Sequence, residues 1–193
     1  MEFFQIVLLS IIQGLTEFLP ISSSGHLILT PIVFNFKDQG LALDAILHLG
    51  TLLAIIVFFR KELTNLIKGL FDRENSPKEH HLAWCIILAS FPAGLLGLFG
   101  GEWIESHLRS PTFVGYNLLF WSLFFLMADR YCLKKTATNM ELNRLSLRQI
   151  LFIGCAQAIA LLPGTSRSGI TIAAGLFTSL SHTAATRFSF LLG

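Results

Sequence analysis

Charge is scarce in this chain. Only 13% of its 193 residues are Asp, Glu, Lys or Arg, where soluble domains carry about 25%. So few charges cannot clothe a water-exposed globule, which excludes an ordinary soluble enzyme. Cysteine is scarce as well. Cys85, Cys132 and Cys155 are odd in number and share no metal or redox spacing, which argues against a disulfide framework or a zinc site. Cys85 and Cys155 sit in apolar runs and are expected as small buried hydrophobes. The opening residues show neither the basic n-region nor the small-residue cleavage site of a signal peptide, so no removable leader is expected there. What remains is apolar: 53% of residues are hydrophobic, 18 of them Phe, and the mean hydropathy is +0.65. Several runs approach the ~20 residues that cross a hydrocarbon core of roughly 30 Å. The expected class is an all-α polytopic membrane protein, a single multi-pass domain over 1–193 whose partner is the membrane and not nucleic acid.

The few charges are unevenly placed. Of 14 Lys and Arg, five lie in 60–81 and five in 129–149, whereas 102–111 carries Arg109 alone. By the positive-inside rule the two basic loops are cytoplasmic and 102–111 faces outward. The apolar runs 41–59, 82–101 and 112–128 read as full spans, and the last two connect the basic loops with the right parity.

Two further apolar regions are interrupted. Region 3–34 is broken by Pro20 and Ser-Ser-Ser-Gly, and region 150–180 by "PGTSRSG" at 163–169. Their arms are short for a span and suit re-entrant hairpins, since irregular backbone survives at membrane depth only where protein or a wet cavity satisfies it. Laid over one another without gaps, Gln13–Gly25 and Gln157–Gly169 share Gln13/Gln157, Ser22/Ser166, Ser24/Ser168 and Gly25/Gly169. The first hairpin enters from outside and the second from inside, which predicts an inverted-topology repeat. The first copy covers about 1–128. The second, about 146–193, ends before the counterparts of the first copy's spans, so the chain is expected to be C-terminally truncated.

Ionisable groups inside membrane segments are costly and point to function. Glu17 and His26 come from the first hairpin and Arg167 from the second. Asp44 and His48 lie one turn apart on span 41–59, where solvation near its outer end is the plainer reading. Glu17 and Arg167 would also suit a buried structural ion pair, and the serines would suit freed backbone carbonyls. Yet a Gly- and Ser-rich turn opening a helix presents N–H groups and a positive dipole to an anion, and Arg adds the planar fork suited to phosphate. A serine, a histidine and a carboxylate offer a nucleophile, an acid or base, and an oxygen ligand for Mg²⁺ or Ca²⁺. Together they can provide what phosphoryl transfer needs.

At "EFLPISSSGHL" and "PGTSRSG" the sequence resembles the two signature motifs of the undecaprenyl-diphosphate phosphatases, the bacitracin-resistance membrane enzymes of bacteria. The resemblance runs over all 193 residues, "LHLGTLLA" at 47–54 included. It implies a multi-pass protein of the bacterial plasma (inner) membrane with two inverted re-entrant hairpins. Its implied reaction removes the terminal phosphate of a C55 polyisoprenyl diphosphate, with a divalent cation, to recycle the carrier of peptidoglycan synthesis. Matched by motif position, Glu17 is catalytic or metal-binding, Ser23 the nucleophile, His26 the acid–base and Arg167 the phosphate-binding arginine. Ser22, Ser24, Gly164, Thr165, Ser166 and Ser168 line the substrate pocket, with Gln13 and His48 as further candidates. Gln13 stands where many members carry a second glutamate, which weakens a two-carboxylate metal site. The expected mechanism is attack by Ser23, its proton taken by His26, in a cavity open to the extracytoplasmic side, with His26 itself as a variant nucleophile. A homodimer is compatible. The rival reading, a transporter or flippase for an anionic phosphorylated lipid, shares the broken helices but needs no nucleophile.

Overall fold

The computed structural model describes residues 2–134 and 142–193, without the side chains of 131–134 and 143. The side chain of Cys132 and part of the second basic loop therefore lie outside what is described. The elements are helical throughout: α1 Phe3–Thr16, α2 Ser23–Val33, α3 Leu41–Phe58, α4 Arg60–Phe71, α5 Pro77–Leu108, α6 Pro111–Lys134, a 3₁₀ turn Leu142–Arg144, α7 Leu147–Ile159, α8 Arg167–Phe177 and α9 His182–Leu192.

Among the described residues three helices are long and apolar enough to cross a membrane: Leu41–Phe58, Pro77–Leu108 and Pro111–Arg130. The last two outrun the runs read from hydropathy because their polar ends continue the helix past the apolar core. The interrupted regions are helix pairs. At 1.5 Å per residue α1, α2, α7 and α8 reach only about 16–21 Å, well short of a ~30 Å core.

Segment 60–81, read from sequence as a loop, contains α4 and the first turn of α5. Its apolar residues, Leu63, Leu66 and Leu70, recur at helical spacing among charges, and all three join the main core. An amphipathic stripe of this kind makes a helix that packs sideways rather than one that spans.

That core lies where α4, α5, α7, α8 and α9 meet, around Leu66, Cys85, Ala89, Ile153 and the fully buried Phe188. α5 and α7 pack most extensively, and Gly154 shows why. A Cβ there would lie 2.6 Å from the Ala89 carbonyl oxygen. Small residues let backbones approach closely where lipid gives no hydrophobic drive. A lesser cluster, Leu9, Leu27 and Leu47, joins α1, α2 and α3. Cys85 is buried as expected, but Cys155 is exposed, because its side of α7 faces away from the α5 contact.

Candidate active site

The two helix pairs share several local features at an offset of 144 residues, although Ser22 is left-handed at φ 63 where Ser166 is extended at φ −77. α1 and α7 each open with a capping box, Glu2 with Gln5 and Ser146 with Gln149. α2 and α8 each run 11 residues from a serine N-cap, whose hydroxyl accepts from Gly25 N at 3.3 Å and from Gly169 N at 3.1 Å. In each motif the capping serine contacts the serine two residues on, Ser22–Ser24 at 3.3 Å and Ser166–Ser168 at 3.2 Å. The helices then stop on left-handed residues, Asn35 and Ser179. Ser23 and Arg167 thus occupy the same place, the first residue of a helix, where backbone N–H groups lack intrahelical acceptors.

Glycines and one asparagine bring the two N-termini together. Gly164 has φ +90, and a Cβ there would lie 2.9 Å from the Val114 carbonyl oxygen of α6. A Cβ on Gly25 would lie 3.3 Å from Gly164 Cα. Asn117 of α6 donates to Pro163 O and to Thr165 Oγ1, both at 2.9 Å. Ser168 Oγ donates to Leu19 O at 3.1 Å, tying the second motif to the first.

Between them is a cavity of about 520 Å³ lined by Glu17, Ser22, Ser23, Ser24, Thr165, Ser166, Arg167 and Ser168, with His48, Thr51 and an apolar wall from α3. Glu17, the residue after α1, is at its centre. Arg167 Nη2 donates to Glu17 Oε1 at 2.7 Å. Ser23 Oγ donates to Oε2 at 2.5 Å, Gln13 Nε2 donates to it at 3.3 Å, and His48 Nε2 stands 3.3 Å from it. Gln13, 2% exposed, also donates to Thr51 Oγ1 at 3.0 Å. The Glu17–Arg167 pair is real, yet its guanidinium side chain remains 30% exposed on a cavity, which a purely structural pair would not require.

Glu17, Ser22, Ser23, Ser24, Thr165, Ser166, Arg167, Ser168 and His48 thus meet at one cavity, with Gln13 just behind. Gly164 acts by backbone approach. His26 is not brought there. One turn into α2, its Nδ1 is 2.8 Å from the Ser22 carbonyl oxygen of its own helix, and it is absent from the lining. Sequence reading missed Thr51 and Asn117. Thr51 lies one turn after His48, and Asn117 is a lone amide in an apolar span, a signal of the kind that intramembrane polar groups give.

The donor set bears directly on the expected divalent cation. Among the described residues no group of three or more His, Cys, Asp and Glu could hold a metal ion. Both Glu17 oxygens already face donors, one of them a guanidinium. Hard cations take six or so oxygen ligands, so Glu17 could hold one only together with water and the phosphates of a substrate. The residues do not fit a cation held by the protein alone.

Over residues 6–193 the chain matches the family described as Bacitracin resistance protein BacA. It is 47% identical, over its full length and 72% of the relative's, to the undecaprenyl-diphosphatase of Saccharophagus degradans. Undecaprenyl-diphosphatase 2 of Stutzerimonas stutzeri is 45% identical with the same coverage. The undecaprenyl-diphosphatase of Hahella chejuensis is 46% identical, with 71% of its length covered.

Proposed function

The chain belongs to the BacA family of bacitracin resistance proteins, and from that premise we propose that it hydrolyses undecaprenyl diphosphate to undecaprenyl phosphate and inorganic phosphate. The observation that carries this reading is Ser23 and Arg167 opening two equivalent helices on one cavity. Two helix N-termini and a guanidinium suit the terminal phosphate. A hydroxyl placed among them suits attack on phosphorus.

In this mechanism Arg167 leaves Glu17 in part to take the phosphate oxygens. Ser23 Oγ forms a bond to the terminal phosphorus as the bridging P–O bond breaks, and the lipid monophosphate departs with that bond's electrons. Water then attacks the phosphoserine, releasing inorganic phosphate and restoring Ser23. Glu17 Oε2, which accepts from Ser23 at 2.5 Å, holds the hydroxyl in place. The tail runs along the apolar wall of Ala45, Leu49, Leu52 and Ile55, which suits a substrate already dissolved in lipid. A divalent cation belongs to this proposal only as a companion of the diphosphate, and no step is assigned to it. The setting is the bacterial inner membrane, with both helix pairs re-entrant and the cavity open outward.

The test is phosphate release from a long-chain isoprenyl diphosphate by the purified chain in detergent with Mg²⁺. Arg167→Ala is expected to lower the rate ~10²-fold or more, as loss of a charge-stabilising donor does. An undiminished rate in that variant overturns the proposal. So does release by the Saccharophagus relative but not by this chain, with both folded, which would favour transport of an anionic lipid.

A further inference from the structure

We propose that His48 of α3, and not His26 of the first motif, is the acid–base residue of this reaction; the inference rests on the phosphatase reading above. His48 lies outside both motifs and enters the site because α3 packs against α1. Its Nε2 stands 3.5 Å from Ser23 Oγ and 3.3 Å from Glu17 Oε2. Its Nδ1 lies 2.7 Å from the Asp44 carbonyl oxygen one turn earlier.

A carbonyl oxygen can only accept, so Nδ1 carries hydrogen and Nε2 is the working nitrogen. Both states of that nitrogen have a partner. Unprotonated, it can accept the Ser23 hydroxyl once that hydrogen turns from Glu17 Oε2; protonated, it donates to Glu17 Oε2. This is the requirement for taking a proton during attack and returning it later. The other charged groups around it are Arg167 from α8 and, along an adjoining cavity that shares Ser24 and His48, Asp44, Glu105 and Arg109. Arg109 Nη2 and Gln39 Nε2 both donate to the Asp44 carboxylate, at 2.9 and 2.5 Å. They fix the turn of α3 that aims the imidazole. His26 is bonded to the Ser22 carbonyl oxygen and does not line the cavity.

The steps balance. As Ser23 Oγ bonds to phosphorus and the bridging P–O bond breaks, its proton passes to His48 Nε2. In the second step the water oxygen bonds to phosphorus, the phosphorus–Oγ bond breaks, and the proton on Nε2 returns to Ser23 Oγ; the water's proton then leaves through the freed Nε2 to the released phosphate or to solvent, so His48 ends unprotonated as it began.

The experiment compares His48→Ala, His48→Gln, His26→Ala and Ser23→Ala in the same assay, with and without added imidazole. Both His48 variants are expected to lose ~10²-fold or more, the usual worth of a positioned acid–base group. Added imidazole should restore His48→Ala in part, and His26→Ala should stay within a few-fold of wild type. The glutamine variant keeps a polar end of similar size, and rescue of His48→Ala by imidazole separates lost chemistry from a folding failure. A His48→Gln or His48→Ala protein at the wild-type rate overturns the inference, as does imidazole rescue of His26→Ala. With Ser23→Ala inactive, those outcomes leave the phosphatase reading standing. Activity in Ser23→Ala, or no release by wild type, overturns both.

Discussion

Glu17 is surrounded by donors of three kinds. Its Oε1 takes the Arg167 guanidinium, and its Oε2 takes the Ser23 hydroxyl and the Gln13 amide. Gln13 therefore does what a carboxylate in its place could not: it adds a hydrogen bond without adding charge. Replacing it should invert that. In Gln13→Glu two carboxylates would stand about one hydrogen-bond length apart, and like charges so close are relieved by protonation or a cation. The expected outcome is Mn²⁺ binding by the lipid-free variant, read by loss of the free-ion resonance, where wild type shows none. Equal binding by the two proteins would mean that the native donor set already holds a cation. Glu17 and Arg167 were legible in sequence because each is an ionisable group embedded in apolar surroundings, and Ser23 because it matches the motif's serine by position. His26 was preferred to His48 because it matches the motif's histidine by position. His26 follows Ser23 by three residues, yet a helix start turns its ring onto Ser22 O. His48 is twenty-five residues from Ser23 and meets it at 3.5 Å.

The elements show how much local rules specify. Both capping boxes, both serine caps and both left-handed stops recur at the offset read from four identities. Segment 60–81 was harder to read, because its basic residues hid a stripe of leucines that only packing against α5 explains. Close helix contacts are harder still, since a glycine in an apolar run looks alike whether it faces lipid or a backbone. Gly154 is the decisive case, with Ala89 O 2.6 Å from where its Cβ would be. Gly154→Leu should force α5 from α7 at a cost of about 1–3 kcal/mol, the range for overpacking. Gly94, with nothing within 4 Å of a Cβ, is the control. Thermal unfolding in detergent should drop for the first and hardly move for the second, and a similar drop in both would remove the close contact as the cause.

Across the whole molecule, charge and depth argue together. Arg60, Lys61, Lys68, Arg73 and Lys78 gather after α3, whereas Arg109 is the one Lys or Arg in 102–111 and is tied to Asp44 near the start of α3. With the basic side inward, α3 runs from the outer surface at Leu41 to the inner at Phe58. His48 then lies about 10 Å below the outer end, at 1.5 Å per residue. The adjoining cavity of about 330 Å³, which shares Ser24 and His48 with the first and reaches Asp44, Glu105 and Arg109, would lie on the outer side in this orientation. This orientation is testable with the three cysteines replaced by alanine. Ser106→Cys should react with a membrane-impermeant maleimide in intact cells, and Asn75→Cys only after permeabilisation. Both residues are exposed, so the difference reports sidedness and not burial. The reverse pattern would put the site near the cytoplasmic face and send phosphate inward.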